Sequence, residues 1–465
     1  MNVGQVAQAL EAVAGANAVL TADADRAPFL AEWRGNYAGA APIVVQPGSV
    51  ESVSAVVRCC AELGVPVVPQ GGNTGLVGGS VSGPAEVVVS LSRLRAVREV
   101  DAVNFSLLAD AGCTLAAAQA AADEVGLMLP LSLSSEGSCQ IGGNLATNAG
   151  GVNVLRYGNA RDQVLGLEVV LPDGTLLSAL QALRKNNAGY DLKHLFVGSE
   201  GTLGIITGAT LKLVPAPEAR LVLWLALDSH AQVLEAYARF RRQFGATMAA
   251  FELIPDIAVD FVTRHIEGTR RPADAPVHAL IELHGGRAEV NRDAVFASVT
   301  DAVDSGTLRD AVVAESDRDQ AALWAVRHHI SEAQSHEGAS IKHDIAVPLG
   351  ALQTLIDTAT TQVEALVPGV RPVCFGHIGD GNLHFNLSQP QGLDRAAFLA
   401  HAPALTRTVH EAAQSLGGTI SAEHGIGLLK RDLLAAQVGP ASHALMRRLK
   451  QSLDPDGIMN PGKLL

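Results

Sequence analysis

Between Pro69 and Ser80 the chain reads Pro-Gln-Gly-Gly-Asn-Thr-Gly-Leu-Val-Gly-Gly-Ser, five glycines in twelve residues. A stretch with so few Cβ atoms is costly to order, and it suits places where main-chain amides must come close to a ligand such as a pyrophosphate. A predicted strand–helix–strand unit leads into it. Pro42–Gln46 is extended and apolar, and Ser49 caps a helix with Glu51 in its first turn. That helix carries Val53, Val56, Val57, Cys60 and Leu63 on one face, Gly64 ends it, and Val65–Val68 is the next strand. The glycine spacing is neither GxGxxG nor GxxxxGK(S/T), so neither the classical dinucleotide fold nor a P-loop is indicated. Taken alone, the segment is equally compatible with an ordinary glycine-rich loop.

Two more segments of the same character follow. Ser134–Gly151 supplies glycines, the amides of Asn144 and Asn148 and the Thr147 hydroxyl, a set suited to the polar edge of a flat heterocycle. Tyr190–Gly204 is the third, running into a strand at Ile205-Ile206. Predicted strands at Glu86–Leu91 and Ser106–Asp110 and an Ala-rich helix over 114–125 separate the first segment from the second, and a strand at Arg161–Leu171 separates the second from the third. Pro215-Ala-Pro217 marks a linker, beyond which strands and helices alternate as in a second α+β domain. Helices are predicted over 398–416 and 433–453. The division expected is 1–215 for a cofactor domain, 216–425 for a substrate domain, and 426–465 as a helical segment returning to the first.

Further along, Cys374-Phe-Gly-His-Ile-Gly-Asp-Gly-Asn-Leu-His-Phe-Asn386 sets His377 and His384 on either side of turn chemistry. If the flanks are strands, His384 and Asn386 share one face and Phe385 and Leu387 the other. Two imidazoles and a third ligand make a common divalent-metal arrangement, and Ser421-Ala-Glu-His-Gly-Ile-Gly427 offers Glu423 as that ligand. Two structural histidines in a tight hairpin are the competing reading.

Length and composition bound the answer. With 465 residues, 48 % hydrophobic and 17 % charged, two or three domains of a well-buried enzyme are expected. A formal net charge of −13 argues against nucleic acid and anionic membrane surfaces, so an anionic substrate needs a local cationic pocket. No apolar run approaches the roughly 20 residues of a spanning helix, and the N-terminus lacks leader or transit character, which makes a cytoplasmic location the expectation. Five cysteines without a CxxC pair read as reduced thiols.

The three glycine-rich segments, in this order, resemble the FAD-binding flavoproteins of the para-cresol methylhydroxylase / vanillyl-alcohol oxidase type, and the match spans essentially the whole chain. Within that family the chain is most similar to the branch that oxidises D-2-hydroxyglutarate, D-lactate and glycolate. Leu155-Arg-Tyr-Gly158, Phe196–Gly204, the histidine hairpin, Ser421–Gly425 and Asn460-Pro-Gly-Lys463 carry the resemblance further. It implies an α+β chain: a two-subdomain FAD-binding domain, then an α+β cap with a central antiparallel sheet and a helical C-terminal segment.

The resemblance also implies roles. Cofactor contacts fall to Pro69, Gln70, Gly71, Gly72, Asn73, Thr74, Gly75, Leu76 and Ser80, with the diphosphate on the 70–76 loop. They fall also to Pro130, Leu133, Glu136, Gly137, Ser138, Ile141, Gly142, Gly143, Asn144, Thr147, Asn148, Gly150 and Gly151, and to Gly204, Ile206 and Asn460, with the flavin on the 133–151 segment. Some relatives bond FAD to a histidine in the first loop; residues 69–80 contain none, so non-covalent FAD is expected. His377, His384 and Glu423 resemble metal ligands, best suited to Zn²⁺ with Mn²⁺, Co²⁺ or Fe²⁺ open, and His424 the catalytic base. Arg327, Ser331, Lys342, Asn386 and His424 would contact substrate, Ser331 standing where a threonine is expected. An electron-transfer flavoprotein or a quinone would accept the electrons, and a homodimer is implied. A dicarboxylate would use both metal and cationic pair, favouring D-2-hydroxyglutarate over D-lactate. A metal-dependent hydrolase with structural glycine loops, and a non-catalytic binding protein of the same fold, are the readings from other classes.

Overall fold

A computed structural model describes residues 2–33, 35 and 37–465. The chain divides into two compact units, the first made of residues 1–150, 158–216 and 423–465, the second of 151–157 and 217–422.

The first unit contains two sheets. In one, Ile43–Val45, Val87–Ser90 and Val67–Gln70 run parallel, with Val19–Leu20 antiparallel on the outer edge. The helix Val50–Glu62 joins the first two parallel segments in sequence; the Ser49 hydroxyl accepts from the Ser52 N–H at its start. Its buried stripe is Val53, Val56, Val57 and Cys60, as the period requires. The other sheet is antiparallel, in the order Val97–Asp101, Ser106–Asp110, Ile205–Lys212, Val164–Val170, Leu176–Ala179. Residues 161–163, expected in the fourth strand, instead end a short helix, Ala160–Gln163, at whose start the Asn159 N–H donates to Asp162 Oδ2 at 3.0 Å.

The second unit is built on a four-stranded antiparallel sheet, Met248–Pro255, Val277–Gly285, Ala219–Leu227 and Asp310–Val313. Both faces are covered, which explains why the strand Ala219–Leu227 reads as an apolar run rather than an alternation. Leu221, Leu223, Leu225 and Leu227 pack with the helices His230–Phe244 and Arg292–Asp304, while Val222 and Trp224 pack with Asp256–His265 and Asp317–His328. A smaller sheet centres on Asn382–Ser388, which pairs with Arg371–Phe375 on one side and with Ser340–Ile341 and Asp344–Ala346 on the other.

The expected helix over 433–453 is two helices, Arg431–Val438 and Pro440–Leu453, interrupted at Gly439 with φ +78°. The residues after them return to the first sheet. The Val67 N–H donates to Ile458 O and the Asn460 N–H to Val67 O, both at 2.8 Å.

Candidate active site

In the first unit the glycine segments fold against one another. A Cβ on Gly72 would meet Ser138 O at 2.1 Å, so only glycine lets the first loop lie on the second. Asn73, at φ +54°, donates to Ala31 O at 2.7 Å and accepts from the Ser80 hydroxyl at 2.9 Å, which closes the loop on itself. Gln70 is buried and tied to Phe29 O, while Glu136 accepts from Ser132 and from the Leu133 N–H. The short helix Ile141–Ala146 carries Gly142 against Ala111, and Asn144 is buried beside Cys139. Thr147 donates to Gly143 O, and Asn148, at φ +51°, accepts from the Arg161 N–H.

Two observations say that this cradle suits a flavin dinucleotide. The Cβ positions of Gly75, Gly137 and Gly143 face open space, and the buried acceptors Gln140 Oε1 and Asn460 Oδ1 have no hydrogen-bond partner among the described residues. Asn460 is otherwise fixed, its amide nitrogen donating to Gly79 O at 3.0 Å and Glu200 O at 2.8 Å. Pro69 packs near Gly201, Gly204 near Val169, and Pro130 and Ile206 are buried. Thr74 and Leu76 are partly buried.

In the second unit the histidine hairpin holds its side chains in a closed ring of contacts. The backbones of Leu253 and Gly376 form an isolated bridge, 2.8 and 3.1 Å, which sets the preceding Glu252 beside the following His377. The turn between the histidines is a 3₁₀ segment, Ile378–Asp380, ended by Gly381 at φ +84°, where a Cβ would meet Val347 O at 2.3 Å. Glu252 Oε1 lies 2.7 Å from His377 Nδ1, and Glu252 Oε2 accepts from Arg327 Nε at 2.7 Å. The Arg327 guanidinium lies 4.8 Å from the Phe375 ring centre, Phe375 is 5.2 Å from the His384 ring, and the His384 and His377 rings stand nearly perpendicular at 5.5 Å.

Burial pushes the Glu252 carboxyl up, but the charges and hydrogen bonds of His377 and Arg327 outweigh it and hold it at about 2. Glu252 is therefore an anion throughout the physiological range. With Nδ1–H given to that anion, Nε2 of His377 would be the nitrogen left to ligate a cation, the arrangement in which metal-binding imidazoles are oriented by a carboxylate. The donor set of this hairpin thus fits a divalent metal.

His384 faces a second buried carboxylate, Asp344, at 3.8 Å. Asp344 also accepts from the Asn382 amide at 2.9 Å and from the Ala422 N–H at 3.1 Å, which pins the chain one residue before Glu423 and His424. Those two residues begin the last part of the first unit. There Glu423 lies so close to Gly150 that a Cβ on that glycine would meet Glu423 Oε1 at 2.6 Å. Gly425 bends the chain at φ +81°, and Glu200 holds the turn by accepting from the Ile426 and Gly427 N–H groups, each at 2.7 Å.

Of the remaining substrate candidates, Arg327 is buried rather than on a helix surface, Lys342 is partly buried, and Ser331 is exposed on the helix Ile330–His336. Asn386 is buried and donates to Gln334 Oε1 at 3.0 Å. Sequence reasoning missed Glu252 and Asp344. A lone carboxylate in the apolar strand Met-Ala-Ala-Phe-Glu-Leu-Ile-Pro was the available signal, since a charge there needs partners.

Comparison with known proteins agrees with this picture. The family described as "FAD binding domain" matches residues 41–179, and "FAD linked oxidases, C-terminal domain" matches 216–464. A D-2-hydroxyglutarate dehydrogenase of Xanthomonas citri is 40 % identical over 96 % of this chain and 93 % of its own length. The mitochondrial D-2-hydroxyglutarate dehydrogenase of Bos taurus is 38 % identical over 96 % and 81 %. A putative mitochondrial D-lactate dehydrogenase of Schizosaccharomyces pombe is 36 % identical over 95 % and 85 %. Among solved structures, p-cresol methylhydroxylase superposes with a TM-score of 0.80 at 17 % identity, over 99 % of this chain and 96 % of that one. Alkyldihydroxyacetonephosphate synthase does so at 0.76 and 21 %, over 98 % and 85 %. No helix among the described residues is long and apolar enough to cross a membrane. The chain belongs to the FAD-linked oxidase family, as a flavin-dependent oxidoreductase in the same branch as the D-2-hydroxyglutarate dehydrogenases.

Proposed function

We propose that this chain oxidises D-2-hydroxyglutarate to 2-oxoglutarate, with non-covalent FAD and a divalent cation, Zn²⁺ by preference. The observation that carries the reading is the pairing of His377 and Arg327 on opposite oxygens of Glu252, which puts a metal-type imidazole and a carboxylate-type guanidinium in one contact ring. The 40 % identity to a D-2-hydroxyglutarate dehydrogenase supports the substrate.

In this reading His377, His384 and Glu423 hold the cation, Glu423 following directly on the backbone that Asp344 pins at Ala422. Held there, a cation would supply acidification of the substrate hydroxyl, and FAD in its cradle would supply hydride acceptance at N5. His424, next in the chain, takes the hydroxyl proton through its neutral imidazole. Arg327 has given Nε to Glu252, so its Nη1/Nη2 edge is the fork that grips the distal carboxylate, with Lys342 adding charge and Ser331 and Asn386 polar contacts. The five unbridged thiols suit a reducing compartment such as the cytoplasm. An electron-transfer flavoprotein or quinone then removes the electrons, and the working form is a homodimer.

The S. pombe relative favours a second reading, a D-lactate dehydrogenase. Anaerobic mixing with a panel of 2-hydroxy acids separates the two. D-2-hydroxyglutarate should bleach the visible flavin band fastest, and chelation should stop bleaching until Zn²⁺ or Mn²⁺ is returned. Faster bleaching by D-lactate selects the second reading; a protein that no 2-hydroxy acid bleaches refutes both.

A further inference from the structure

We propose that Glu252 is a positioning residue that couples cation affinity to recognition of the substrate's distal carboxylate, orienting His377 through one oxygen and Arg327 through the other. The inference rests on the roles of His377 and Arg327 proposed above and adds a residue that touches neither substrate nor cofactor.

Three features point to it. The first is where the carboxylate sits. Glu252 is 1 % exposed in a strand whose neighbours Ala249, Ala250, Phe251, Leu253 and Ile254 are all buried apolar groups. A charge in such a place is desolvated, and a well-packed apolar residue of similar size generally stabilises a fold as well as or better than a buried ion pair does. Stability alone therefore gives a poor account of this glutamate.

The second is the division of its two oxygens. Oε1 meets an imidazole nitrogen and Oε2 meets a guanidinium nitrogen, each at 2.7 Å. An anion at Nδ1 fixes one tautomer of His377 and raises the basicity of Nε2, the nitrogen that would ligate a metal. At the other oxygen, the bond from Nε combines with the Phe375 ring beneath the guanidinium to fix the plane of Arg327. With Nε committed to Glu252, the Nη1/Nη2 edge is the part of the guanidinium that a substrate carboxylate would meet.

The third is how the glutamate itself is held. The Leu253–Gly376 backbone bridge joins its strand directly to the residue before His377, so ligand and carboxylate move as one piece. A single side-chain displacement would disturb both partners together.

The test uses FAD-loaded, metal-stripped protein titrated with Zn²⁺, alongside KM for D-2-hydroxyglutarate and D-lactate in the Zn²⁺-reconstituted enzyme. Glu252→Gln should weaken Zn²⁺ binding by about 10- to 100-fold and raise KM for the dicarboxylate several-fold more than KM for lactate. Glu252→Asp, which keeps the charge, should recover part of both. Should wild type bind Zn²⁺ and Glu252→Gln bind it equally, with an unchanged KM ratio, the positioning role falls while the proposed function stands. Should wild type itself take up no Zn²⁺, the metal half of the proposed function falls and this inference with it. A readout that needs no altered glutamate guards against misfolding. Nitrogen NMR of histidine-labelled wild type, with the His377 signals identified by their loss in His377→Gln, should show a proton on Nδ1; a proton on Nε2 overturns the proposal.

Discussion

Leu253 and Gly376 exchange two backbone hydrogen bonds, and through them a strand of the central sheet of the second unit is fastened to the loop that bears His377. Side chains from residues 252, 327, 375, 377 and 384 meet around that bridge, although they come from three strands, one helix and the loop of His377. The cluster is thus anchored by strands and a helix, with the loop of His377 tied to the central sheet.

His424→Ala should leave the protein yellow and able to bind substrate, and should slow anaerobic flavin reduction by about 10²- to 10⁴-fold, the usual range for a general base. Stopped-flow absorbance under saturating substrate measures this. Near-native bleaching would remove His424 from the proton transfer.

Arg327→Met is expected to cost stability as well as affinity, because it leaves the Glu252 anion with one partner fewer in an apolar strand. Breaking such a pair from one side typically costs about 3–5 kcal/mol. Chemical denaturation should show that loss, and the double change Glu252→Leu/Arg327→Met should recover much of it. Lys342→Ala is consequently the cleaner probe of selectivity, raising KM for the dicarboxylate more than for D-lactate.

Gly143→Ala separates the cofactor from the fold. Apart from its chain neighbours and its own helix backbone, nothing described comes within 4 Å of the added carbon, and an alanine in a helix gains up to about 1 kcal/mol over glycine. The apoprotein should melt no lower than wild type, while FAD affinity, read by flavin fluorescence on titration, should fall at least tenfold. Unchanged affinity would place the flavin elsewhere.

Glu337 gives the second unit a definite acid sensitivity. Burial raises its carboxyl, but hydrogen bonds from Arg371, His265 and Arg264 more than reverse this and hold it at about 2 against an ordinary 4.5. A depressed carboxylate contributes stability that is complete above pH 4.5 and is lost as pH falls towards 2. Glu337→Gln should therefore be less stable than wild type at pH 7, and the gap in denaturant midpoint should close between pH 4.5 and 2. A gap that is constant with pH would show that packing, not charge, holds this residue.

Much of this was legible in the chain because the informative residues sit close together in sequence. Ser49 and the apolar stripe from Val53 to Cys60 announce a helix by local rules, and Gly-Asp-Gly-Asn between His377 and His384 announces a turn. The partners of those histidines were not legible. Glu252 stands 125 positions before His377, and only the pairing of two distant strands brings it there. Arg327 shows the same limit: its residue type suggested a grip on carboxylate, yet the folded chain commits one edge of it to a carboxylate of the protein's own. Residues 161–163 were missed for a local reason, since a four-residue helix started by a single bond from the Asn159 N–H to Asp162 leaves no periodicity to read.

The closing of the first sheet by late residues bears on how this protein comes to exist. Asn460 reaches Gly79 across 381 positions, and Lys450 ties to Thr202 and Met459 on the way. During synthesis the nascent parallel strands must wait for most of the polypeptide to emerge before their last hydrogen bonds form, a high-contact-order closure expected to be slow. A fragment cut after the first 216 residues would leave Val67 without its late partners. Such a fragment should be aggregation-prone and a poor receptor for its cofactor.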